Sequence, residues 1–435
     1  MSTTQTDGFC SPSLAIEAGD CGRITDTEIR QALGQALART GRPLRKVLLI
    51  PPDYTRFHSY AGPITAMLRS LLVADACEVD ILPALGTHQP ISPEESRAFF
   101  GDTVDPASLL VHNWRDDVVR IGQIPGAYVS EISEGLMDTP VDIELNRRIL
   151  DPSYDLVISI GQVVPHEVVG MANQSKNLFV GCGGSSMISS SHMLGAFYGL
   201  ERIMGKDHSP VRKLFDYAQE HTLGQIPLLY VLTVTTAVGT DISVRGLYIG
   251  RERALFEQAV ALSQKKNLIF VDKPLEKVVV YLDGQEFKST WLGNKAVYRT
   301  RMAIADGGQL LVLAPGISRF GEDVENDRLI RKYGYVGRER VLSLFRENED
   351  LQNNQSVPAH LIHGSSDGRF SITYATRLLS REEVEGVGFG WMDYDEAVQT
   401  YHPDRMKAGF QTVAGEEVYY IPNPALGLWA DRGRF

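Results

Sequence analysis

His166, Lys176 and His192 flank a run of small residues in PHEVVGMANQSKNLFVGCGGSSMISSSHMLG, and histidine supplies only 10 of the 435 residues. Imidazole moves protons near neutral pH or ligates metals. Glycine and serine density over residues 181–191 permits close backbone approach and offers donors to an anionic group. Gly181-Cys182-Gly183-Gly184 nevertheless falls short of G-x-G-x-x-G and lacks the Lys-Ser/Thr ending of a P-loop, which disfavours a standard dinucleotide site. Asp53-Tyr54-Thr55-Arg56 suits a carboxylate or phosphate, because arginine binds such groups with paired charge-assisted hydrogen bonds and aspartate accepts from hydroxyls. On residue types alone, plainer roles stay open: His166 opening a helix, Lys176 solvated, His192 bonded to a backbone carbonyl, and Asp53 with Arg56 forming a surface ion pair or cap. A metal-dependent hydrolase drawing on His88, His166 and His192 also stays open, although no H-E-x-x-H occurs and His166-Glu167 has no partner at helical spacing.

The elements around these groups read as alternating strands and helices. KVLLIPPD is a continuous apolar run stopped by two prolines, as a buried parallel strand requires. A helix follows at residues 63–76, then EVDILPAL as strand, SPEESRAFF as a capped helix, SLLVHNW as strand and YDLVISIGQVV as strand. Repeated β-α-β units predict a mostly parallel sheet covered by helices, with ligands bound beyond the carboxyl ends of the strands. Those ends lead into Asp53-Tyr-Thr55-Arg56, Gly86-Thr-His88-Gln-Pro90 and Pro165-His166-Glu167. A second α/β unit starts near Lys266, with NLIFVD and KVVVYLDG as strands, LGNKAVYRTRMAIA as a helix and GGQLLVLAPG as a further strand. Residues 175–265 between the units are helical and partly glycine-rich. The expected architecture is two α/β domains, residues 1–265 and 266–435, with mostly parallel sheets and an interdomain cleft.

Composition narrows the classes of function. Forty-three basic against 54 acidic residues give a formal charge of −11, and no Lys/Arg run offsets it, so neither nucleic acid nor an anionic membrane is an expected partner. The apolar stretch at 226–238 contains Pro227 and three threonines and is too short to span a bilayer. Cys10, Cys21, Cys77 and Cys182 are scattered without a C-x-x-C pair, which fits a reducing cytoplasm. The first twenty residues lack the basic and apolar regions of a secretory signal.

Taken as an ordered set, Asp53-x-Thr55-Arg56, Gly86-x-His88-x-Pro90, Pro165-His166, Lys176 and His192 resemble the nickel-pincer lactate racemase family, including the intervals of ten and sixteen residues around Lys176. The resemblance runs from about residue 45 into the C-terminal part. It implies a racemase or epimerase that inverts C2 of a 2-hydroxy acid by hydride transfer. Its cofactor would be a nickel-pincer nucleotide, a pyridinium-3-thioamide-5-thiocarboxylic acid mononucleotide carrying Ni(II), supplied by cofactor biosynthesis proteins. By that resemblance Lys176 tethers the nucleotide, Asp53 and Thr55 help bind it, and His192 ligates nickel. His88 and His166 are the acid/base pair, while Arg56 and Lys295 bind the substrate carboxylate. The turn before Lys176 reads GMANQS where members carry a Gly/Ser-rich turn. Trp291 and Leu292 stand where the lactate enzymes have tyrosine and glutamine, which implies a different substrate tail. Candidates run from lactate-like and malate-like acids to aryl acids and aldonates. A non-catalytic binder of hydroxy acids or nucleotides on the same scaffold is the remaining alternative.

Overall fold

The computed structural model describes residues 12–435 apart from 21, 239–240 and 355. Cys10 and Cys21, and most of the stretch bearing on a secretory signal, therefore lie outside the described residues, whereas Cys77 and Cys182 are buried, unbridged thiols. The chain divides into two compact units, one comprising residues up to Ser191 with Gly205–Asn267, the other His192–Met204 with Leu268–Phe435. The Ser185–Tyr198 helix thus begins in one unit and ends in the other.

The first unit is built on a six-stranded sheet in the order Leu14–Glu17, Asp241–Gly250, Leu228–Val238, Leu156–Gln162, Lys46–Ile50, Glu78–Ile81. The last four strands pair in parallel and the first three are antiparallel. Val47, Leu48, Leu49 and Ile50 are all fully buried, as a strand covered on both faces must be. The Ala61–Ala74 helix returns the chain to Glu78–Ile81, and Ser92 starts the Pro93–Phe100 helix through a capping box with Glu95. Apolar faces of these helices and strands close one core around Ile29, Leu33, Leu49, Ile64, Phe99 and Ile158.

The second unit carries another six-stranded sheet, ordered Gly390–Asp393, Ser371–Thr376, Ile304–Leu313, Leu275–Tyr281, Glu416–Ile421, Gly409–Val413. Only the last pair, a hairpin, is antiparallel. Both sheets make the chain α/β with mostly parallel pairing.

Several elements differ from expectation. SLLVHNW is not a strand: Leu109 makes a single bridge to Ile81, after which Asp117 and Asn113 side chains take the backbone N–H groups of Asn113 and Arg115 at 2.9 and 3.0 Å. Such local side-chain bonds replace the ladder with a turn. The helix expected over residues 292–305 is two short helices, Thr290–Gly293 and Lys295–Tyr298. It stops because Thr300 bonds back to Ala296 O at 2.6 Å and the buried Arg301 is drawn to Glu201, Ser365 O and Asp367. The NLIFVD strand, Leu268–Val271, pairs with Leu428–Asp431 in a separate two-stranded sheet rather than joining the main one. Residues 175–265 hold helices and also the long Leu228–Val238/Asp241–Gly250 hairpin, whose β-branched threonines and valines favour a strand. Among the described residues no helix is long and apolar enough to cross a membrane.

Candidate active site

The polar groups of the first unit gather at the carboxyl ends of its parallel strands. Lys46–Ile50 runs through Pro51-Pro52 into Asp53, and a 3-10 turn at Tyr54–Ser59 follows, kinked at Arg56. Asp53 is buried, and both its oxygens are engaged: Thr55 Oγ donates to Oδ1 at 2.7 Å, and His88 Nδ1 bonds Oδ2. Burial works to raise this carboxyl, but the hydrogen bond and charge of His88, then Thr55 and Arg56, hold it below the ordinary carboxylate range. An ionised carboxylate can only accept, so Nδ1 of His88 carries a proton, and Nε2 is the nitrogen that would accept in the neutral form of the ring.

His88 reaches Asp53 because the chain turns sharply after Glu78–Ile81. Gly86 takes a left-handed φ of 57°, and its N–H donates to Gly181 O at 2.8 Å, fastening this turn to the glycine-rich segment. A Cβ on Gly183 would lie 1.8 Å from Phe179 O, which is why only glycine permits that close approach. His112 Nε2 bonds Gly183 O at 3.1 Å and supports the same segment from beneath.

His166 does not open a helix. It lies in a two-residue hairpin, Pro165–His166 against Gly170–Met171, and is buried. The Val168 backbone N–H donates to His166 Nδ1 at 3.1 Å, whereas Glu167 Oε2 stands 3.8 Å from the same nitrogen.

Lys176 sits in the first turn of the Ser175–Phe179 helix, half-buried. Burial first, and the charges of Arg56 and Arg212 next, lower its ammonium to about 8 against the opposing pull of Glu167 and Asp53. Asn177 ties this helix to the strand ends by donating to Ile50 O at 3.1 Å and Ser159 Oγ at 3.0 Å. The turn before it holds two non-glycine residues in left-handed φ, Asn173 at 72° and Gln174 at 56°. Arg212 holds that turn in place, donating to Met171 O at 2.7 Å, Asn173 O at 3.1 Å and Ser175 Oγ at 3.1 Å. Gln174 is 1% exposed, and neither its amide nitrogen nor its amide oxygen has a hydrogen-bond partner among the described residues.

The first unit therefore carries Asp53, Thr55, Arg56, His88, His166 and Lys176, and the charges of Asp53 and Arg56 act on Lys176. His192 and Lys295 belong to the second unit. Lys295 follows Asn294, whose Oδ1 accepts from Tyr374 OH at 2.8 Å, in a buried network that also joins Thr290, Tyr335 and His360. Trp291 stacks on His360 with ring centroids 4.2 Å apart. Arg212 is a residue that sequence reasoning missed. Its signal was a lone cation one helical turn before Phe215, on the apolar face that also carries Val211, Leu214 and Ala218. The Asp207, His208 and Glu257 trio is the one grouping of three potential metal ligands among the described residues. Arg253 lies across it, 2.6 Å from Asp207 and 3.7 Å from Glu257, and so already supplies the positive charge.

Residues 22–201, which hold every one of these first-unit positions except Arg212, match the lactate racemase N-terminal domain. This part of the chain is similar to the N-terminal domain of lactate racemases. Among solved structures, a Thermotoga maritima protein determined as a structural-genomics target is 24% identical with a TM-score of 0.78, the match covering 95% of this chain and 99% of that one. The lactate racemase apoprotein from Thermoanaerobacterium thermosaccharolyticum is 16% identical with a TM-score of 0.69, covering 96% and 100%. At those identities the likeness over the whole chain shows the fold alone. No curated relative matches.

Proposed function

We propose that this protein is an isomerase that inverts C2 of a 2-hydroxy acid with a nickel-pincer nucleotide tethered to Lys176. The observation that carries the reading is the state of Lys176. With its ammonium lowered to about 8, roughly one amine in ten is neutral at pH 7, against fewer than one in a thousand for an ordinary lysine. A covalent tether requires that neutral amine.

The surroundings fit an anionic nucleotide on the lysine. Arg56 and Arg212 place positive charge around it, the 181–184 glycines leave room for close backbone approach, and the Gln174 amide has a buried donor and acceptor without protein partners. His192 is assigned to nickel, whose square-planar form suits imidazole beside soft donors. When bound, the nucleotide supplies the hydride acceptor that inversion at C2 demands. The remaining work belongs to side chains of this protein. Arg56 pairs with the substrate carboxylate, and Lys295 is assigned to the same group. His88 and His166 handle the hydroxyl proton.

The direct test is turnover in deuterated water with the loaded protein. The inverted 2-hydroxy acid is expected to keep its C2 hydrogen, because a hydride does not exchange with solvent. Rapid deuterium entry at C2 would mean proton abstraction from carbon and would refute the proposal.

A further inference from the structure

We propose that the substrate is a 2-hydroxy acid with an apolar tail, aryl or branched alkyl, and that Trp291 and Leu292 select it. The inference rests on the 2-hydroxy-acid reading, in which Lys295 is assigned to the substrate carboxylate, and names the substrate class within it.

The polar side chains of the turn that leads into Lys295 are all spent inside the second unit. Ser289, Thr290 and Asn294 are buried. Ser289 Oγ donates to Glu322 Oε1, and Thr290 Oγ bonds Phe320 O at 3.0 Å and the Tyr335 hydroxyl at 2.9 Å. Asn294 Oδ1 accepts from Tyr374 OH at 2.8 Å. The side chains of this turn that reach outward are Trp291, Leu292 and Lys295, with Leu292 36% exposed. Asn294 keeps a helical φ of −65°, and its N–H bonds Thr290 O at 2.8 Å while its carbonyl accepts from Tyr298 N at 3.0 Å, so the backbone stays helical across the junction. Trp291 and Leu292 precede Lys295 by four and three residues and therefore share its face.

Trp291 is held ready for a flat apolar partner. Its indole stacks on His360 with ring centroids 4.2 Å apart and planes within 20°. Burial, and then the charge of His363, lower His360 to about 3, so the ring against the indole is neutral at working pH. A polyhydroxy tail laid on this face would give up water for carbon, and each hydroxyl left without a partner costs roughly tenfold or more in binding. An apolar tail gains roughly fourfold for each methylene that leaves water. A second substrate carboxylate would need a cation. Arg319, whose backbone bridges that of Ser289, already bonds Gly321 O at 3.1 Å and pairs with Glu322 at 3.8 Å.

The test uses loaded protein with phenyllactate, 2-hydroxyisocaproate, lactate, malate and gluconate. Phenyllactate and 2-hydroxyisocaproate are expected to be inverted with kcat/KM roughly 30-fold or more above the other three. Leu292→Gln changes an exposed side chain, should leave the fold unaffected, and should cut that preference roughly tenfold, mainly by raising KM for the two apolar acids. Binding is read separately from turnover. In loaded protein labelled with fluorotryptophan, phenyllactate should shift the fluorine signal of Trp291, identified by its loss in Trp291→Phe, and gluconate at the same concentration should not. Lactate, malate or gluconate inverted with kcat/KM equal to or above that of phenyllactate overturns the inference and leaves the 2-hydroxy-acid reading standing. So does a Trp291 signal unmoved at a phenyllactate concentration that saturates turnover. Loaded wild-type protein that inverts none of the five refutes the underlying reading, and the inference falls with it.

Discussion

Asp53 Oδ2 and His88 Nδ1 are hydrogen-bonded across the ends of two neighbouring parallel strands, 35 residues apart in the chain. The contact makes Asp53 a positioning residue, because it selects which ring nitrogen of His88 is left to accept a proton. Asp53→Ala is expected to lower kcat of the loaded protein by roughly 10–100-fold in both directions, with a smaller change in KM. Stability gives a second readout. A carboxyl lowered by folding stabilises the native state above the ordinary carboxylate pKa, and that contribution is lost as pH falls through the lowered value. Urea denaturation between pH 7 and 3 should therefore show a shallower acid loss in Asp53→Ala than in wild type; equal slopes would contradict the account.

Lys176 has the opposite sign. Its ammonium is lowered to about 8 in the folded chain, so between that value and an ordinary lysine pKa of about 10.4 the unfolded chain binds more protons. The unloaded protein should gain stability as pH rises from about 8 to about 10, with the cost of the buried charge present in full below that window. Lys176→Met should remove this rise when denaturation midpoints are compared across it. A rise of the same size in both proteins would place the titrating group elsewhere.

Gln174 combines burial with an amide that has no partner among the described residues, at a cost of about 1–3 kcal/mol until something bonds to it. Gln174→Leu is expected to raise the Tm of the unloaded protein and to shrink the increase in Tm that follows loading. Thermal scans of both forms check this, and a variant destabilised in the unloaded form would show that the amide already serves the fold.

Arg212 makes three hydrogen bonds to the turn that precedes Lys176 and is itself 1% exposed. Arg212→Met should cost about 3 kcal/mol, mostly from Met171 O, Asn173 O and Ser175 Oγ losing their donor. Arg212→Lys should recover only part of this, because one ammonium cannot reproduce the planar fork. Chemical denaturation measures the stability, and intact mass after loading shows whether attachment at Lys176 falls with it.

Strands with one strong local signal were legible in the sequence. The apolar run ending at Pro51-Pro52 forms Lys46–Ile50, and Ser92 with Glu95 caps Pro93–Phe100 as a capping box should. Residues 108–114 misled because an apolar composition does not reveal that Asn113 and Asp117 side chains will take the backbone donors. Residues 292–305 misled because what ends the helix is a distant partner set for Arg301, namely Glu201, Ser365 and Asp367. At the site, spacing marked His88, His166 and Lys176, but the bond of His88 to Asp53 and that of the Val168 N–H to His166 Nδ1 are contacts that only the folded chain defines. Arg212 follows Lys176 by 36 positions and reaches it only through packing.

The central claim is that Lys176 carries the nucleotide. Intact mass, peptide mapping and metal analysis on protein co-produced with a nickel-pincer biosynthetic system test it most directly. The account predicts an adduct that maps to Lys176, about one nickel per chain, and neither in Lys176→Met. An unmodified chain, made by a system that loads a known member of the lactate racemase family, would contradict it.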